Sequence, residues 1–156
     1  MEVLRNRSGI SVSQRKYILD LLAETGLLGS RPTETPMDPS NKLGKCPDGA
    51  PIDKGRYQRL VGRLIYLSHT RLDIAFVVST VSQFMHSPYE AHLEAVYILK
   101  YLKEIAGRGL FFKKNSKRSI EAFTDADWAG AIDDRKSTSR YCTFVWGNLV
   151  TWRNKK

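Results

Sequence analysis

The chain has 156 residues, 42% of them hydrophobic, so it can bury the core of one ordinary domain or two small ones. No apolar run approaches the ~20 residues of a membrane span, and the N-terminus lacks the apolar core of a signal peptide. We therefore expect an intracellular protein without a membrane partner, in which Cys46 and Cys142 are reduced thiols. The net charge of +9 favours a polyanionic partner such as nucleic acid, although a merely soluble basic protein would also carry it.

The N-terminal third predicts a hairpin, a helix and a linker. A turn at Arg5–Gly9 between short apolar stretches predicts a β-hairpin over Glu2–Gln14. Ser13 can cap the helix that follows, and Gly26 ends it. The inner face of this helix holds Ile18, Leu21, Leu22 and Thr25. From Leu27 to Gly55 the sequence predicts a linker, because five of the six prolines lie there and proline interrupts helices and sheets.

The clearest helix is predicted from Tyr57 to about Ser68. Its apolar stripe has helical spacing and consists of Tyr57, Leu60, Val61, Leu64 and Leu67. A second stripe at i, i+4 and i+8 contains Gln58, Gly62 and Tyr66, and Arg59 and Arg63 flank it. Glycine in the middle of a helix costs ~1 kcal/mol relative to alanine. Gly62 therefore indicates either the close approach of a ligand or the packing of a neighbouring helix, and the spacing alone leaves both open.

Two more helices are predicted before residue 107. The first begins at Thr70–Asp73 and keeps a helical period to His86. Ser87–Glu90 has the form of a capping box with Pro88 at the first helical position, and it begins a helix that reaches about Ala106. This last helix is apolar on more than one side, with Leu93 and Tyr97 in the second strip, so we expect it to be well buried.

The C-terminal part predicts strands. A short strand at Leu110–Phe112 is followed by a basic turn at Lys113–Arg118, which is either solvated surface or a phosphate contact. The next strand ends in acidic residues, and Glu121, Phe123, Asp125 and Asp127 share one parity, so they point to one side of it. Strands at Tyr141–Trp146 and Leu149–Arg153 would be joined by a type II′ turn at Gly147-Asn148. The fold class is α+β, with an N-terminal hairpin, a helical region and an antiparallel meander over about 110–153.

Two motifs resemble a known family. The segments Thr124–Gly130 and Asp134–Ser139 resemble the opening of the ribonuclease H domain in copia-type LTR retrotransposon Pol polyproteins. Tyr57–Leu64 is similar to the first thumb helix of reverse transcriptases, and the similarity extends from Glu2 onward. It implies that residues 1–28 end a polymerase palm, 29–55 form a Pro/Gly-rich linker, 56–109 form a helical thumb-like region, and 110–156 begin a truncated ribonuclease H-like domain.

The resemblance also implies functional residues. Gln58, Gly62 and Tyr66 would face the minor groove of a template–primer duplex, and Arg59 and Arg63 would neutralise its phosphates. Asp125 would be the first catalytic carboxylate of ribonuclease H and a candidate Mg²⁺ ligand in the complete domain.

The same resemblance places the other catalytic carboxylates outside this chain. Asp127, Asp133 and Asp134 are the nearest other acids, while the family's polymerase aspartates lie upstream and its remaining ribonuclease H carboxylates follow Lys156. We therefore expect no activity from the chain alone and no tightly bound Mg²⁺. The family usually has glycine where this chain has Arg140, which suggests either a positive φ or a close contact at that position.

Three functional interpretations remain open on the sequence. The chain is a piece of a reverse transcriptase/ribonuclease H polyprotein, with the remainder of Pol and nucleic acid as partners. Alternatively it is a nucleic-acid-binding module that retains the duplex contact. In the third interpretation it is a decayed or co-opted reading frame with an interaction role.

Overall fold

A computed structural model of the chain describes residues 1–37, 50–116, 118–127 and 138–155. The chain divides into two compact units. The helical unit comprises Met1–Glu2 and Ser13–Gly109, and the sheet unit comprises Val3–Val12 and Leu110–Lys156. Residues 38–49 of the predicted linker, which include Cys46, lie outside the described residues, and so do Asp133 and Asp134. The assignment of the four sequence ranges to polyprotein regions stays a prediction.

The described residues of the helical unit form four α-helices: α1 (Arg15–Glu24), α2 (Lys54–Ser68), α3 (Ala75–Ser82) and α4 (Glu94–Glu104). Short 3₁₀ turns at Leu72–Ile74 and Glu90–His92 precede α3 and α4. The predicted apolar stripes of α1 and α2 are confirmed, because their aliphatic members are buried in one shared core, except Leu60, which is partly buried against it. Within the described ranges, no helix has the length and apolar character needed to cross a membrane.

The start of α1 differs from the prediction. Gln14, not Ser13, is the N-cap residue, and Ser13 belongs to a strand. The Glu2 carboxylate accepts hydrogen bonds from the Ser13 hydroxyl at 3.3 Å and from the Lys16 backbone N–H at 3.1 Å. A carboxylate at a helix N-terminus is favourable because it meets unpaired N–H groups. The predicted stop is confirmed, since Gly26 has a φ of 71°.

The predicted boundaries of α2 and α3 and the predicted burial of the last helix also need correction. Helix α2 begins before the expected Tyr57, at Lys54, because the Asp53 side chain accepts a hydrogen bond from the Arg56 N–H at 2.6 Å. Helix α3 ends at Ser82 and does not reach His86. The second apolar strip of the last helix is exposed in part, with Leu93 at 39% and Tyr97 at 37%.

The predicted Ser87 capping box is wrong. Residues 88–90 are paired with the extended segment before α2: the Ile52 N–H donates to the Pro88 carbonyl at 3.3 Å, and the Glu90 N–H donates to the Ala50 carbonyl at 3.0 Å. The Tyr89 N–H donates to His92 Nδ1 at 2.9 Å. The segment before α2, about 40 residues earlier in the sequence, therefore forms the backbone hydrogen bonds that a local capping box would have formed.

Two polar side chains hold the helices together. The Tyr57 hydroxyl on α2 donates to the Val81 carbonyl on α3 at 2.8 Å, and burial raises the pKa of Tyr57 to about 12. The Arg71 guanidinium is 3% exposed; it donates to both carboxylate oxygens of Asp73, at 2.9 and 2.6 Å, and to the Ile105 carbonyl at 3.1 Å. Arg71 thus joins the beginning of the α3 segment to the end of α4.

The part of the sheet unit that the structure describes contains most of two three-stranded sheets. The first has the order β1 (Glu2–Arg5), β2 (Gly9–Ser13), β3 (Leu110–Lys113), and the second has the order β4 (Ile120–Asp127), β5 (Thr138–Val145), β6 (Asn148–Lys155). The hairpin and the β4–β6 meander are confirmed. The inclusion of β3 in that meander is wrong, because β3 pairs antiparallel with β2, Gly9 opposite Lys113 and Val12 opposite Leu110.

The register of the second sheet confirms the predicted parity of β4. Glu121, Phe123 and Asp125 lie opposite Phe144, Cys142 and Arg140. The turn between β5 and β6 is Trp146-Gly147, one residue earlier than predicted. Both residues have positive φ, 52° and 72°, which is typical of a type I′ turn and corrects the predicted type II′ turn.

Candidate nucleic-acid interface

The exposed face of α2 is strongly basic. The helix carries four cations and no acidic side chain within Lys54–Ser68. Arg59 is exposed and Arg63 is half-exposed. Arg56 is also exposed and lies three residues before Arg59, so it extends the row of arginines on this face. Arg56 was not singled out from the sequence, although its i, i+3, i+7 spacing with Arg59 and Arg63 was visible.

Gly62 lies exposed in the middle of this face. Among the described residues, no neighbouring heavy atom lies within 4 Å of the position that a Cβ atom would occupy at Gly62. The packing of another helix therefore does not explain Gly62, although a glycine in the middle of a helix costs ~1 kcal/mol relative to alanine. Of the two interpretations that the sequence left open, the structure disfavours the packing of a neighbouring helix.

The flanking side chains differ in how freely they can meet a ligand. Gln58 is half-buried, and its side-chain amide donates to the Met85 carbonyl at 3.0 Å. Tyr66 is 43% exposed and packs edge-to-face on Tyr17 with ring centroids 5.2 Å apart. Arg63 forms an ion pair with Glu24. The structure thus brings Arg59, Gly62, Arg63 and Tyr66 to one open face and leaves Gln58 at its border.

Asp125 lies near the end of β4 with an exposed side chain. Mg²⁺ binds several oxygen ligands in a near-octahedral arrangement, and two-metal hydrolysis needs several carboxylates. The described residues contain no group of three or more His, Cys, Asp or Glu side chains that could hold a metal ion. These residues by themselves do not fit a magnesium centre, and no step through a metal is derived from them.

Comparison with known proteins gives the family. The chain is 43% identical to the retrovirus-related Pol polyprotein from transposon RE1 of Arabidopsis thaliana and 40% identical to that from transposon RE2, over 100% of the chain in both. The chain belongs to the copia-type Pol polyproteins of transposons. It spans 11% of the length of each of these two relatives.

A shorter relative also matches the whole length of this Pol segment. The uncharacterized mitochondrial protein AtMg00810 of Arabidopsis thaliana is 37% identical over 100% of the chain, which covers 65% of that protein. No protein-family model and no solved structure matches the chain.

Arg140 is one position where this Pol segment departs from what the family resemblance implies, which is a glycine. It lies inside β5, and among the described residues Trp146 is the one non-glycine residue with a positive φ. A positive φ is therefore not what this position requires in the present fold. Arg140 is directly opposite Asp125 in the β4–β5 register, so a cation stands on the same face of the sheet as the candidate catalytic carboxylate.

Proposed function

We propose that this Pol segment contains the thumb of a reverse transcriptase followed by the beginning of ribonuclease H, and that α2 binds the template–primer duplex. The whole polyprotein would carry out RNA-directed DNA synthesis and degrade RNA in RNA–DNA hybrids. Its partners would be nucleic acid and the remainder of Pol, and Mg²⁺ would act in the complete enzyme. The membership of the Pol family and the basic face of α2 support this proposal.

The open position of Gly62 is the observation that carries the duplex contact. A helix can approach a sugar–phosphate backbone closely where a side chain is missing, and the cost of a mid-helix glycine then has a function. Arg59 on one side and Tyr66 on the other would flank the approaching strand. Arg63 would exchange its exposed ion pair with Glu24 for a phosphate, and such exposed pairs contribute little to stability.

The duplex contact is tested by replacing Gly62 with leucine. We expect Gly62→Leu to weaken binding of a primer–template duplex about tenfold, because the side chain holds the backbone of the duplex away from the helix. The free space around Gly62 means that the fold accepts the leucine, so circular dichroism should show unchanged or increased helix. Fluorescence anisotropy with a labelled duplex measures the affinity.

Gly107→Leu is the matched control. Gly107 is exposed and also has no neighbour within 4 Å of the position that a Cβ atom would occupy, but it lies outside α2. The control should bind the duplex like the original chain. Equal affinities for all three proteins, with intact folds, would remove the proposed contact.

We further propose that Asp125 acts only in a longer polyprotein. The exposed Asp125 carboxylate lies opposite Arg140 in the register, and the described residues contain no cluster of metal ligands around it, so we expect the 156-residue chain not to cleave RNA in an RNA–DNA hybrid with Mg²⁺ or Mn²⁺. A chain extended by the family's C-terminal continuation should cleave the hybrid, and Asp125→Asn should abolish that cleavage. Cleavage by the short chain that is lost in Asp125→Asn would contradict the proposal.

A second candidate is a stand-alone nucleic-acid-binding module. The length of AtMg00810 is compatible with this candidate, because the chain covers 65% of that protein and only 11% of the RE1 and RE2 polyproteins. Duplex binding by the chain alone, with the expected loss in Gly62→Leu, would support this candidate without requiring any enzymatic activity.

A further inference from the structure

A groove of about 580 Å³ lies within the sheet unit, between three segments that follow strands. We call it the three-turn groove. The segments are the β1–β2 turn, the segment after β3, and the β5–β6 turn. Six side chains define its chemistry: Arg5, Arg7, Lys113, Lys114, Arg118 and Trp146.

The charge of the three-turn groove is of one sign. Five of its lining residues are cationic and none is acidic. In the described parts of the chain, none of these five cations forms an ion pair. All five cations are exposed. Five cations around one cavity repel each other and attract a polyanion, whose binding would remove that repulsion.

Hydrogen bonds hold the turns of the groove in place before any ligand arrives. The Asn148 side chain accepts from the Lys113 N–H at 2.7 Å and donates to the Lys113 carbonyl at 3.0 Å, so it joins β3 to the β5–β6 turn. The Lys114 N–H donates to the Ser8 carbonyl at 2.8 Å, which joins β3 to the β1–β2 turn. The Asn115 side chain donates to the Trp146 carbonyl. A preorganised site loses less entropy when it binds.

Trp146 adds a flat apolar surface beside the cations. Its side chain is 52% exposed, and its φ of 52° is unusual for a bulky residue. The turn is fixed by its neighbours, since the Trp146 N–H donates to the Ser119 carbonyl at 2.8 Å. Such strained positions persist where the surroundings fix them, and they cluster at ligand sites.

From these observations we infer that the three-turn groove binds a single strand of nucleic acid, with its phosphates on the cations and a base stacked on Trp146. Aromatic platforms next to basic grooves bind single strands with little sequence preference, because every base has a π-face. In a duplex the base faces are already stacked, so Trp146 would favour a single strand. This site lies in a different unit from α2 and takes a different form of nucleic acid, so it goes beyond the proposed function.

The stacking part is tested with Trp146→Asn. Asparagine accepts a positive φ, and Asn-Gly is the preferred pair in a type I′ turn, so the hairpin should be kept or stabilised. We expect the affinity for a labelled oligo(dT) to fall about tenfold, as anisotropy measures it. Trp152→Thr is the control: Trp152 is 42% exposed on β6 and does not line the groove, so this variant should bind normally.

The charge part is tested with the double variant Lys113→Gln/Arg118→Gln. Losing two phosphate contacts should reduce the slope of log affinity against log salt by about 1.4. Arg15→Gln/Lys16→Gln, which removes two exposed cations from α1, should leave the slope unchanged. Trp146→Asn lowers the affinity for oligo(dT) and Gly62→Leu lowers the affinity for the duplex, so failure of this proposal and failure of the duplex contact are distinguishable. Unchanged affinity in Trp146→Asn, or equal loss in the two charge variants, would overturn the proposal.

Discussion

Replacing Gly9 with alanine is expected to destabilise the sheet unit by about 3 kcal/mol, one of the largest effects of a single methyl group in this chain. A Cβ atom at Gly9 would lie 2.2 Å from the Phe112 carbonyl oxygen, which belongs to the backbone of the neighbouring strand β3. A backbone atom in a paired strand cannot move aside alone, so β2 and β3 must separate locally. The Lys114–Ser8 hydrogen bond between the turns should be lost with that separation.

Hydrogen exchange measures this effect region by region. In Gly9→Ala, the amides of β2 and β3 should exchange faster, while those of α1 and α2 in the other unit stay protected. Gly62→Ala is the matched substitution and should stabilise the helical unit by about 1 kcal/mol, because Gly62 is an exposed helical glycine with free space around it. Normal protection of β2 and β3 in Gly9→Ala would show that the strands accommodate the methyl group.

Replacing Arg71 with alanine is expected to destabilise the helical unit by about 3 kcal/mol. The change removes the hydrogen bonds to Asp73 and to the Ile105 carbonyl and leaves a cavity between the α3 segment and α4. Urea denaturation followed by circular dichroism at 222 nm measures the free energy of unfolding. Arg15→Ala, at an exposed arginine of α1, is the control and should change it by less than about 0.5 kcal/mol.

The same network makes the helical unit sensitive to acid. Partial burial raises the pKa of Asp73, but the hydrogen bonds and charge of Arg71 and the hydroxyl of Tyr101 outweigh it, and the pKa is lowered. A lowered folded-state pKa contributes stability that is fully present well above the unfolded value of ~3.9 and is lost as the pH falls through the folded value. Asp73→Asn should remove this part of the acid dependence. An acid profile identical to that of the original chain would contradict the role of Asp73.

The sequence predicted best where the signal is local. The apolar stripes of α1 and α2 follow helical spacing, and both faces are buried as expected because burial of such a stripe dominates helix stability. The period of two in β4 likewise placed Glu121, Phe123 and Asp125 on one side, and the register confirms it. Gly26 ended its helix as predicted, because a positive φ is a property of that single residue.

Features that depend on distant partners were missed. The sequence of β3 does not indicate that this strand pairs with β2, which lies about a hundred residues earlier. The Lys16 N–H in the first turn of α1 donates to the Glu2 carboxylate, across the whole hairpin, and the end of the predicted linker supplies partners to residues 88–90. The turn at Trp146-Gly147 was misplaced by one residue because a bulky residue rarely adopts a positive φ.

The candidate sites show the same division. The face of α2 could be predicted because its residues are helical neighbours. The three-turn groove could not, because its cations come from turns that are distant in sequence; the basic composition of Arg5–Arg7 and of Lys113–Arg118 was the only signal. Arg71 was also missed as a structural residue, since arginine is almost never fully buried unless it is paired, and the partner becomes visible only in the fold.

The sheet unit is formed by two segments that are far apart in the sequence, which has a consequence for synthesis of the chain on the ribosome. Strand β2 is translated before its partner β3, which follows only after Ser13–Gly109 has been translated. At roughly 5–20 residues per second this delay is on the order of ten seconds, which is long compared with the formation of helices and hairpins. Throughout that interval the nascent hairpin presents an open strand edge, the kind of edge that pairs with other chains. The helical unit is complete before the strand that closes this edge leaves the ribosome.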